Sequence, residues 1–152
     1  MGTNLVYMKG EEFIKKVLEG ERDFSGIEFE KGFNLDDCDG FNDLNKYLQV
    51  MNFFPDEFTP LIINGSRWQG VKARGLHLSY VRGKGADLRW AYFLGADLGG
   101  ANLGEADLRE VINLGNTIYL KNAIFYKTKV TAKEKSIIEE ALKNKKQFII
   151  FK

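Results

Sequence analysis

Few side chains in this 152-residue sequence carry reactive chemistry, and they do not converge. His77 is the only histidine and Cys38 the only cysteine. Nucleophilic catalysis needs a thiolate or hydroxyl beside a base. Cys38 lies in the acidic turn Asp36-Asp37-Cys38-Asp39-Gly40, with no histidine nearby to activate it. The same turn has a partial calcium-loop pattern, with Asp37, Asp39 and Gly40 at the third, fifth and sixth positions. Leu35 then occupies the first ligand position and Lys46 the last, where a bidentate Glu is required. A solvated turn leading into a helix is the expectation. Phosphate-cradling, HExxH and nucleophile-elbow motifs are absent from the sequence. No catalytic, metal or cofactor-binding residue is assigned, and no cofactor is expected.

Bulk properties narrow the class further. Lys and Arg number 22 and Asp and Glu 21, for a formal charge of +1. Near-balance argues against direct nucleic-acid binding and against a polyanion mimic. The charge is uneven along the chain: −7 over residues 1–60, +5 over 61–90, −3 over 91–110 and +6 over 111–152. Apolar runs such as Phe148 to Phe151 are far too short to span a bilayer. The first twelve residues lack a charged region followed by an apolar one, so a cytoplasmic protein is expected. Gly is frequent (16) and Pro rare (2), a balance that suggests many similar tight turns.

Those turns are periodic. From Leu61 the chain divides into fives: LIING, SRWQG, VKARG, LHLSY, VRGKG, ADLRW, AYFLG, ADLGG, ANLGE, ADLRE. Eight of the ten third positions are apolar and larger than Ala, nine of ten first positions are apolar, and Gly closes six blocks. A period of five fits neither a helix nor a long strand. It fits three extended residues (in, out, in) followed by a two-residue corner, where Gly adopts φ > 0 at little cost. A corner every five residues closes a square coil every twenty. Coils stacked at about 4.8 Å make a right-handed quadrilateral β-helix, an all-β solenoid.

The blocks ADLRW, ADLGG, ANLGE and ADLRE resemble the pentapeptide-repeat proteins, whose consensus is A(D/N)LXX. Gly20 to Ile27, GERDFSGI, is similar to the lead-in common before such repeats. The resemblance implies the quadrilateral β-helix and does not by itself imply an activity.

The remaining segments must start, interrupt and close the coil. The whole chain, 1–152, reads as one pentapeptide-repeat domain. Residues 8–20 hold a cap helix, with Phe13, Ile14, Val17 and Leu18 on one side. Residues 22–35 give the first faces through Phe24, Phe29 and Leu35. Residues 36–60 leave the coil as a helical excursion, with Leu44, Tyr47, Leu48 and Met51 on one face before Phe53-Phe54-Pro55. The main repeat runs over 61–130. Beyond Leu108 its inward pairs are Ile112 with Leu114, Ile118 with Leu120, Ala123 with Phe125 and Thr128 with Val130. Two extra residues fall at bulged corners, before Leu114 and before Leu120. Thr131 and Glu134 form a capping box, opening a C-terminal helix over Ala132 to Lys145. Ile137, Ile138, Ala141 and Leu142 are its apolar stripe, and 147–151 reads as a strand. The total is about four coils, about 19 Å tall.

Residues twenty apart stack, so the outer wall carries ladders. Arg67, Asp87 and Asp107 form one, and Gln69, Arg89 and Arg109 another. His77 falls at an outward position and is expected to be a solvated side chain. Trp90, Tyr92 and Leu94 point outward around one corner, with Lys72 below Tyr92 and Arg74 below Leu94. Outward aromatics on a polar wall suggest an interaction surface or a patch covered by the 36–60 excursion. The leading functional reading is a non-enzymatic scaffold that binds an unidentified protein partner through this wall. One alternative follows from the resemblance, since some family members mimic DNA and bind a type II topoisomerase. Another is a small-molecule enzyme using the groove beside the excursion. The tail strand suggests a homodimer through the C-terminal cap, with fold-back in a monomer as the competing arrangement.

Overall fold

The computed structural model describes residues 4–52, 59–114 and 120–143. Its organising feature is a column of parallel pairings at a spacing of twenty. Ile62 pairs with Arg82, Arg67 with Asp87, Lys72 with Tyr92 and His77 with Asp97. The next turn repeats the spacing, with Arg82 to Asn102, Asp87 to Asp107 and Tyr92 to Ile112. The Arg82 N–H donates to Leu61 O (2.9 Å) and the Ile63 N–H donates to Arg82 O (2.7 Å). Each face is one residue of ladder flanked by two residues aimed inward, a β-helix-type winding.

The inward positions are closed to solvent. Leu88, Phe93, Leu98, Leu103 and Leu108 are buried, as are Ala86, Ala91, Ala96, Ala101 and Ala106. Alternating small and large residues let successive faces share a narrow interior at close-packed density. Gly83 stands at an inward position where the period calls for bulk. A Cβ there would lie 3.1 Å from Leu103 Cδ2, so the next turn fills the space. The fifth position is left-handed whether or not it is Gly: Tyr80, Trp90, Glu105 and Glu110 have φ near +60° there, like Gly65 and Gly85.

The first turn is built differently. Strand β1 (Val6–Tyr7) pairs in parallel with β2 (Ile27–Glu28). Asp23, Glu28 and Asn34 pair with Ile62, Arg67 and Lys72. Where a fourth strand would meet His77, helix α2 (Phe41–Asn52) presents Asn45. Its Oδ1 accepts from the His77 N–H (2.8 Å) and its Nδ2 donates to Gly75 O (2.8 Å). The side-chain amide thus accepts the His77 N–H as a neighbouring strand would, and ties itself to the adjoining corner through Gly75 O.

Helix α1 (Gly10–Leu18) supplies Phe13 to the start of the stack. Its ring meets Phe24, Phe29 and Trp68 edge-on at 4.8, 5.4 and 5.5 Å. At the other end, α3 (Ala132–Leu142) opens on the expected capping box, with the Thr131 N–H donating to Glu134 Oε2 (2.8 Å). Ile138 and Leu142 are buried in the same core.

Several expected placements differ. Ile112 is not inward: it continues the outward column of Tyr92 and is 47% exposed, while Val111 and Leu114 are buried. The register therefore slips after Ile112, where Asn102 pairs with Ile124 and Asp107 with Lys129, at a spacing of twenty-two. Leu18 is exposed where α1 ends, one residue past the buried Val17. Ala141 is exposed, and Glu134 takes its place in the buried line with Ile138 and Leu142 at helical spacing. Phe53 to Pro55, Ile118 and the 147–151 strand, with the dimer drawn from it, lie outside the described residues. No described helix is long and apolar enough to cross a membrane.

Candidate protein-interaction surface

The wall that carries Trp90, Tyr92 and Leu94 is one column with its two corners. Asn34, Lys72, Tyr92 and Ile112 stack through successive parallel pairings. Arg74 and Leu94 lie two residues after Lys72 and Tyr92, and Trp90 two residues before Tyr92. All five expected residues, Lys72, Arg74, Trp90, Tyr92 and Leu94, are exposed or half-buried. Trp90 and Leu94 are each 38% exposed, and Ile112 extends the apolar strip by one turn.

The strip is edged by cations. Lys31 Nζ stands 4.7 Å from the Trp90 ring centroid, and Arg89 Cζ stands 5.1 Å from it. Each contact is attractive through the ring quadrupole. Arg74 is tied down: its Nε donates to Asp36 Oδ2 (2.9 Å) and its Nη2 to Asp36 Oδ1 (3.1 Å). Burial opposes the charge on Asp36, but the Arg74 guanidinium and N–H outweigh it and hold its carboxyl below the usual range. Lys72 has no ion pair among the described residues. Apart from Asp36, the described part of the excursion packs elsewhere, with Asn45 at Gly75 and His77 and with Tyr47 bonded to Arg22.

The neighbouring wall shows the opposite treatment. Arg89 grips Asp87 with Nε and Nη2 at 2.9 and 2.8 Å, and Arg109 grips Asp107 in the same way. Gln69 Nε2 also donates to Asp87, and Arg89 Nε reaches Asp107 at 3.6 Å. Asp107 was expected to be exposed, yet it is only 9% exposed, because two guanidiniums cover it. Burial works against both carboxylates, and the arginines bring their pKa values below the ordinary range.

Sequence reasoning missed Ile112 and Lys31. Ile112 was readable from strict stacking, since it lies twenty residues after Tyr92. Lys31 carries no such signal, because the excursion separates it from the repeat. The other candidates for chemistry stay apart. Cys38 is desolvated and surrounded by Glu11, Asp37 and Asp39, which push its thiol up to about 11. Leu35 is fully buried and cannot serve as the first ligand of a calcium loop.

The pentapeptide-repeat family model matches residues 74–110 and 86–117, with eight copies. The chain carries pentapeptide repeats. No curated protein matches it in sequence. Among solved structures it is similar to a pentapeptide repeat protein from the cyanobacterium Cyanothece 51142, at 16% identity and a TM-score of 0.42. That alignment covers 72% of this chain and spans 57% of the cyanobacterial protein. A pentapeptide repeat protein from the thylakoid lumen of Arabidopsis thaliana is similar at 18% identity and a TM-score of 0.26. It aligns over 79% of this chain and 72% of its own length. The repeats account for the ladders and the inward Ala and Leu, while the apolar strip at Trp90, Tyr92 and Ile112 departs from their polar outward positions.

Proposed function

We propose that this chain is a non-enzymatic scaffold that binds a protein partner through the wall of Trp90, Tyr92, Leu94 and Ile112. The observation that carries the reading is that Trp90, Leu94 and Ile112 are exposed around a half-buried Tyr92, on a wall whose other outward residues are polar. Contiguous exposed apolar surface marks interaction sites, and aromatic anchors dominate their energetics. Lys72 and Lys31 beside the strip favour a partner with acidic residues around an apolar centre. The display rests on a right-handed quadrilateral β-helix of about four coils with helices closing both ends, an inference supported by the twenty-residue pairings and the family match.

Mimicry of DNA toward a topoisomerase has less support. Such a mimic needs rows of free carboxylates, and Asp87 and Asp107 are occupied by arginines. An enzyme has less again, since the thiol of Cys38 is held protonated. The test uses the full chain as bait in native lysate, beside the variant carrying Tyr92→Glu and Ile112→Glu. A protein captured by the wild type and lost with the folded variant supports the reading. Identical captures from both would sink it.

A further inference from the structure

A second feature lies on a different wall. Between α2 and the column of Arg82 and Asn102 is a cleft of about 300 Å³. Ten residues, half a turn of the winding, separate Arg82 from Tyr92, so the cleft and the apolar strip face different ways. Its floor is apolar, from Leu48, Met51 and Leu61, and its rim is basic, from Arg22 and Arg82. Among the described residues that line it, none is acidic.

The two guanidiniums are the informative part. Arg22 donates to Val17 O (3.0 Å), to Glu21 O (2.7 Å) and to the Tyr47 hydroxyl, all neutral acceptors. The Glu21 carboxylate is turned to Lys16 instead, at 3.2 Å. Arg22 is therefore fixed in place with no carboxylate partner among the described residues. The Arg82 guanidinium makes no hydrogen bond or ion pair among the described residues. Along the other outward columns Arg67, Arg74, Arg89 and Arg109 all have carboxylate partners. Two cations without a carboxylate partner among the described residues, on one concave surface, attract an anion, and a guanidinium matches a carboxylate through paired N–H donors. The Tyr80 hydroxyl and the Asn102 amide on the same rim add neutral hydrogen-bonding groups.

We propose that this cleft binds a small organic anion, a carboxylate on a short apolar body, with the Arg82 guanidinium gripping the carboxylate, the fixed Arg22 adding positive charge beside it, and Leu48, Met51 and Leu61 receiving the body. Its volume is at the small end of ligand clefts, which limits the body to a short chain or single ring. The proposal is independent of the protein-binding reading, because neither set of residues is shared.

Calorimetric titration of the full chain with octanoate tests it, with octan-1-ol as the uncharged probe. Octanoate is expected to saturate one site below about 1 mM, with octan-1-ol at least about tenfold weaker. Arg82→Gln should weaken octanoate at least about tenfold, Arg82→Lys should weaken it less, and Arg89→Gln on another wall should leave it unchanged. No octanoate binding by about 1 mM, equal binding of the alcohol, or undiminished binding by folded Arg82→Gln would each overturn the proposal.

Discussion

The turn over residues 62–77 and the turn before it solve the same problem with different materials. The later turn offers four strand faces, at Ile62, Arg67, Lys72 and His77, each paired to the next turn. The earlier one offers three, at Asp23, Glu28 and Asn34, and fills the fourth with a helix whose Asn45 amide bonds Gly75 and His77. Inside, the regular turns alternate Ala and Leu, while the start is packed with Phe13, Phe24, Phe29 and Trp68. A repeat can specify its middle with one rule. Its end has an exposed core and unpaired backbone, and both must be closed by residues outside the rule.

If that contrast is right, the largest effect belongs to the aromatic start. Phe13→Ala should cost about 3–5 kcal/mol in urea unfolding, since the ring is fully buried against three others. Leu98→Ala, in the regular run, should cost about 2–5 kcal/mol and fall below Phe13→Ala. Near-neutral Leu98→Ala would show that the regular interior does not depend on its large residues.

Asn45→Ala is the sharpest test of the substituted face. It leaves the His77 N–H and Gly75 C=O without their partner, at an expected cost of about 1–3 kcal/mol. Faster hydrogen exchange at the His77 amide, with the Asp97 region unchanged, would locate the loss. An unchanged exchange rate at His77 would mean that the amide does not act as the fourth face.

The smallest effect concerns the ladders. Asp87→Asn should cost up to about 1 kcal/mol near neutral pH, because Arg89 and Gln69 lose a charged acceptor. Asp36, Asp87 and Asp107 all have lowered folded pKa values. Their contribution is complete above the unfolded value of about 3.9 and disappears as pH falls through the lower folded values. Urea midpoints measured from pH 6 downward should therefore drop less steeply for Asp87→Asn than for the wild type. Parallel curves would remove Asp87 from the acid response.

The regular run was legible because its phase is written in every block: Ala, then two residues later Leu four times and Phe once. Ile112 was misplaced by looking for apolar pairs, when stacking on Tyr92 was the stronger constraint. Asp107 was expected in solvent because an outward position says nothing about how far a neighbouring arginine folds over it. β1 could not be read at all, since Val6 and Tyr7 are exposed and only two residues long. The wall of Trp90, Tyr92 and Leu94 followed from position alone. The cleft at Arg82 did not, because the excursion that forms its far side carries no repeat to fix where it lies.

The step from twenty to twenty-two residues after Ile112 bears on how such a chain can change length. With two residues added between Ile112 and Ile124, Ile124 and Lys129 still return to the columns of Asn102 and Asp107. The winding behaves like thread on a spool: what must be conserved is the return to each side, and not the amount of thread per lap. Removing a whole lap, residues 81–100, would splice Tyr80 to Ala101 in phase. The shorter spool would keep its ends and lose Trp90, Tyr92 and Leu94 together, separating the winding from what it displays.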